Sequence, residues 1–114
     1  MIKREVKNCS TYDAPGHFKM TAMRLVGKEE TGAEKFWMGL SHFLPGGGAD
    51  YAYEDSPTEK IYYVVEGEIT IYTKDRKEKI VLKKNDTIFI GPNEGRELIN
   101  ETNMPASMLV VVNY

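Results

Sequence analysis

The chain has 114 residues, a length that folds as one domain around one compact core. Apolar residues make up 41% and charged residues 28%, ordinary values for a soluble globular protein. The net charge of -2 is spread without a Lys/Arg block, so nucleic acid is not an expected partner.

In chain order, the start MIKREVKNCS lacks the apolar core of a signal peptide. Cys9 is the single cysteine, which rules out an internal disulfide and fits a reducing, cytoplasmic location. Nothing near it in sequence activates the thiol. Asp13-Ala14-Pro15-Gly16 reads as a turn. Residues 18–26 form a strand candidate whose Met and Ala content equally suits a helix, and residues 28–32 read as an exposed loop. The aromatic-rich run EKFWMGLSHFL, residues 34–44, predicts a strand ending at Pro45, with Gly46, Gly47 and Gly48 continuing the turn. Its Trp37 and Phe36, like Tyr51 and Phe89, are expected in the core or an interface.

Residues 60–65 and 68–74 flank Glu66-Gly67, a hairpin signal. Asp75-Arg76-Lys77 is a charged turn. Further strands are predicted over 79–82, 87–90, 96–100 and 107–113, with turns at Lys84-Asn85-Asp86 and across 92–95. The aliphatic run 108–112 is too short to cross a bilayer, so no membrane is expected as partner. Many short strands and no long helical period predict an all-β sandwich or barrel. Residues 1–33 make an N-terminal segment with early strands of the same domain, and 34–114 the barrel.

The spacing of particular residues resembles the cupins, a family of small jelly-roll β-barrels. Its first motif is G-x5-H-x-H, three or four residues, E, six residues, G. Gly47, Tyr53, Asp55, Lys60 and Gly67 stand at those positions. A second frame from Gly46 puts Ala52 and Glu54 at the His positions, with one extra residue before Lys60. In the second motif, G-x5-P-x-G-x2-H-x3-N, the positions hold Asn85, Gly91, Asn93, Arg96 and Asn100. Only Asn100 is the family residue. The resemblance covers roughly 34–112 and implies a jelly-roll cupin barrel and a homodimer.

Metal-binding cupins hold their ion with three His and a Glu, donors suited to transition ions. Here the four positions read Tyr53, Asp55, Lys60 and Arg96. A guanidinium has no lone pair to offer. A dication about 4 Å from one cationic side chain is repelled by roughly 8 kcal/mol at an effective dielectric near 20. No metal cofactor is therefore expected at the usual place. An alternative is a displaced site from Glu54, Asp55, Glu59 and Glu66, with His42 on the preceding strand.

If Lys60 and Arg96 point inward, strand alternation turns Tyr62 and Asn100 inward with them. Buried charges must be paired, and Asp55 neutralises only one of the two. A small organic anion, a carboxylate by preference, is then the expected partner. Arg96 would grip it with a bidentate fork, helped by Lys60, Tyr62, His42 and Asn100. Asp55 or Glu54 as general base, Tyr53 or Tyr62 as general acid and Lys60 as electrophile would make a metal-independent isomerase, cyclase or lyase. Three alternatives stay open: a non-catalytic binding or sensor module, a metalloenzyme with relocated ligands, and a filled barrel whose Lys60 and Arg96 form ion pairs at the rim.

Overall fold

The computed structural model describes residues 1–114, and in it the short apolar runs become nine strands. They are β1 (Thr11–Tyr12), β2 (His17–Val26), β3 (Phe36–Ala52), β4 (Lys60–Glu66), β5 (Glu68–Tyr72), β6 (Lys79–Lys83), β7 (Thr87–Ile90), β8 (Arg96–Ile99) and β9 (Ala106–Asn113). Every pairing is antiparallel, in the order β6-β5-β8-β3-β9-β4-β7, with β2 along β3 and β1 on β2. The two ends of that path, β6 and β7, are consecutive in sequence, so the sheet curls into a nearly closed barrel. The jelly-roll β-barrel read from the sequence is the observed fold.

β3 departs from expectation. It does not stop at Pro45 but runs for 17 residues. Its first half pairs with β9 and its last part with β8, so one strand serves both walls. The glycines make this possible. Gly46 takes φ +79, and a Cβ on Gly47 or Gly48 would strike the carbonyl of Lys19 or Leu98. The run read as a turn is a bend where backbones lie too close for side chains.

The expected hairpin at Glu66-Gly67 is also absent. β4 pairs with β7 and β9, whereas β5 pairs with β6 and β8. Gly67, at φ +77 against the Pro105 carbonyl, carries the chain from one wall to the other. The loop 28–32 contains a single helical turn, α1 (Lys28–Thr31). The charged turn after β5 does close a hairpin, onto β6.

Inside, Phe43, Tyr62, Val64, Ile69, Ile71, Leu98 and Met108 are each at most 2% exposed and form the centre of the core. Each such aliphatic or aromatic side chain contributes about 1.5–3 kcal/mol by leaving water. The run 108–112 divides by strand parity: Met108 and Val112 are buried inside, while Leu109 and Val111 face outward near the exposed Ile61 and Tyr63.

Candidate functional site

Residues opposite one another on neighbouring strands stack in rows down the barrel. Lys60 faces Val112, which faces Trp37. Below, Tyr62, Val110, Gly39 and Arg24 align across four strands. The third row is Val64, Met108, Ser41 and Ala22, and the fourth brings Phe43 beside Ala106. On the opposite wall Arg96 stands at the level of Ala52, with Leu98 one step deeper. A cavity of about 450 Å³ runs along these rows. Tyr12, from the N-terminal segment, and Tyr114 complete its rim.

Three cationic side chains line this cavity, Arg24, Lys60 and Arg96, against one carboxylate, Glu54. Lys60 is taken: its Nζ donates to Glu54 Oε2 at 3.1 Å. Arg96 donates from Nε to the Tyr62 hydroxyl at 2.8 Å and from a terminal nitrogen to the Asp50 carbonyl at 3.4 Å, both neutral acceptors. Arg24 lies between the rings of Tyr12 and Trp37, 4.8 and 4.6 Å from their centres, and its buried Nε has no hydrogen-bond partner. Neither arginine takes part in any ion pair of the protein. On its outer side Arg24 shares a second recess with Glu29 and Glu30.

Lys60, Tyr62 and Arg96 are thus brought together. The other named residues are not. Tyr53 and Asp55 lie exposed on the segment between β3 and β4 and do not line the cavity. Glu54, the position of the alternative frame, lies between them in sequence and reaches Lys60, so the role given to Asp55 as counter-ion falls to Glu54. His42 is on the outer face of β3, bonded through Nδ1 to Ser107 Oγ at 2.8 Å. Asn100 is fully buried at the closed end, where its amide donates to the carbonyls of Phe43, Leu44 and Met104. Its role is to hold the β3 bend.

Arg24 and the cavity-facing Trp37 were missed as site residues. Alternation along β2 sets Arg24 two residues from the inward Ala22, a signal usable only once 18–26 is known to be a strand. Nothing in the sequence places Tyr12 at the mouth.

The side chains at the family's ligand positions do not fit a metal. Two of the four are cationic, and the alternative acids are dispersed: Glu54 turns to Lys60, Glu66 to Lys84, and Asp55 and Glu59 lie exposed. No three His, Cys, Asp or Glu side chains come together as a metal-holding group, consistent with replacement of the ligands.

The fold and site define a small antiparallel barrel whose interior holds a cavity of small-molecule size, cationic at its rim. The chain belongs to the cupin domain family, whose model matches residues 39–112. It is 40% identical over 105 residues, 90% of this chain and 85% of the other, to the protein named Beta-D-galactosidase Rv1717 of Mycobacterium tuberculosis. Among solved structures it resembles the polyketide cyclase RemF of Streptomyces resistomycificus, with TM-score 0.85 and 22% identity, covering 99% of this chain and 80% of that one. It also resembles a cupin-superfamily sugar phosphate isomerase of Silicibacter pomeroyi, with TM-score 0.80 and 19% identity over 99% of this chain and 76% of the other. At these identities the two structures speak for the fold alone.

Proposed function

We propose that the barrel binds a small organic anion, a carboxylate by preference, and acts on it without a metal. One observation carries this reading: Arg96 lines the cavity with neutral acceptors only, while the single carboxylate there is already held by Lys60. Arg96 is part-buried; a guanidinium partly withdrawn from water without a counter-ion is unfavourable, and an incoming carboxylate supplies one in bidentate geometry.

The same groups suit proton transfer. Tyr62 accepts from Arg96 and keeps its own hydroxyl proton for a ligand. Glu54 is the carboxylate able to take a proton from carbon. The Lys60 ammonium stabilises negative charge growing on a carbonyl oxygen. This set serves isomerisation, cyclisation or elimination on an oxo or hydroxy acid. A sensor or binding module would use the same pocket without turnover.

Thermal-shift screening against keto, hydroxy and aromatic acids tests the anion, and NMR of each hit tests turnover. Arg96→Ala is expected to weaken any hit about ten- to hundred-fold. Hits untouched by both Arg96→Ala and Lys60→Met would remove the reading.

A second reading follows from the M. tuberculosis relative's name: hydrolysis of a β-galactoside. Such hydrolysis ordinarily uses two carboxylates flanking the bond, and Glu54 is the only carboxylate lining the cavity. We therefore place it second. Release of nitrophenol from nitrophenyl β-D-galactoside, lost in Glu54→Gln, would promote it.

A further inference from the structure

Resting on the anion-pocket reading, the geometry points to the kind of skeleton the anion carries: we propose an amphipathic acid whose aromatic or branched aliphatic body fills the barrel below the charged rim. The rows differ in chemistry with depth. Lys60, Glu54 and Arg96 lie at the rim, where the Lys60 side chain keeps 21% exposure. Beneath them the cavity wall is Val110, Met108, Ala22, Phe43 and Leu98, the last four at most 2% exposed. The polar groups beyond the rim are few. Arg24, in the row of Tyr62, is covered by the Tyr12 and Trp37 rings, Tyr62 has only its hydroxyl proton left once Arg96 has donated to it, His17 has its Nδ1 against the Pro15 carbonyl at 2.9 Å, and Ser41 offers one hydroxyl.

This gradient decides between ligand classes. A pyranose carries hydroxyls around its whole ring, and each one buried without a partner costs free energy. The deep wall has too few donors and acceptors to meet them. An apolar body needs none, and gains from every surface it takes out of water. A mobile bare anion such as acetate would satisfy the rim and leave the deep cavity unused.

Calorimetric titration of the whole protein with phenylacetate, acetate, galacturonate, galactose and benzyl alcohol tests this. Phenylacetate is expected to bind about ten-fold or more tighter than acetate or galacturonate. Val110→Thr, which sets a hydroxyl into the wall at nearly the same shape, should weaken phenylacetate several-fold and leave acetate alone. Equal affinity for phenylacetate and galacturonate would overturn the apolar-body inference while leaving the anion pocket standing. Benzyl alcohol binding as tightly as phenylacetate would do the reverse. Binding of galactose alone, lost in Ser41→Ala, or binding of none of the five, would end both.

Discussion

The two ends of this barrel treat polar side chains in opposite ways. At the closed end Asn100 is 0% exposed and uses its whole amide: three main-chain carbonyls accept from its nitrogen, and its oxygen accepts from the Thr102 N–H and hydroxyl at 3.0 and 2.8 Å. Its backbone adds bonds to Gly46 and Gly47, both at 2.8 Å, so the β3 bend is tied on either side. At the open end Arg96 meets a phenol and a carbonyl and Arg24 meets ring faces, with Glu29 and Glu30 on its outer side, and neither arginine forms an ion pair. A group with every partner supplied by the protein holds the fold. A group left short of a partner is available to a ligand.

The largest expected effect breaks the closed end. Asn100→Leu removes the donors of three carbonyls and the acceptor of Thr102 around a side chain that is itself 0% exposed. We expect a loss of about 3 kcal/mol or more in chemical denaturation. Because Asn100 does not line the cavity, the protein that remains folded should keep its affinity for an anion. A parallel loss of affinity would erase the distinction between the ends.

The open end should respond the other way round. Arg96→Met is expected to reduce carboxylate binding about ten- to hundred-fold while leaving the melting temperature unchanged or higher, since no ion pair is lost. A melting temperature that falls as far as in Asn100→Leu would make Arg96 structural. Glu54→Gln sharpens the same point with a smaller effect. It frees Lys60 from its only carboxylate and should tighten anion binding a few-fold. Where a ligand is also turned over, that turnover should be lost despite the tighter binding, a split between KM and kcat that a merely structural Glu54 would not give.

The walls were legible from the sequence because alternation and strand-length apolar runs depend on near neighbours. β7 falls at its predicted bounds and β6, β8 and β9 lie within one residue of theirs. The errors gather at glycine. In Gly46-Gly47-Gly48 and at Gly67 the sequence signals low steric demand, which a turn and a strand crossing share. Only distant backbone, the Lys19, Leu98 and Pro105 carbonyls, decides between them. The site was half legible for a related reason. Lys60 and Arg96 sit inside regular strands, where parity transfers from the family spacing. Tyr53, Glu54 and Asp55 follow the end of β3, where a shift of one residue exchanges the side chain facing Lys60. Arg24 reaches the cavity through β2, a segment whose Met and Ala content suits a helix as well as a strand.

The smallest effect belongs to a clamp that lies away from both ends. Arg76, in the turn after β5, grips Glu97 on β8 with two hydrogen bonds, 3.0 and 2.7 Å, and its guanidinium covers the Tyr72 ring at 4.5 Å. These bonds hold the Glu97 carboxyl below its ordinary value of 4.5. A carboxylate whose pKa is lowered by folding stabilises the protein above its unfolded value, and that contribution fades as the pH falls through the folded one. Glu97→Gln should therefore lower the melting temperature slightly at neutral pH and not at all in strong acid, where both proteins carry a neutral side chain. The pair is half exposed and screened, so the difference at neutral pH should shrink as salt is raised. Anion binding should not move, because Glu97 does not line the cavity. A Glu97→Gln protein that lost ligand affinity would mean that the position of β8, and with it Arg96, depends on this clamp, and the site would then extend to the outer surface of the barrel.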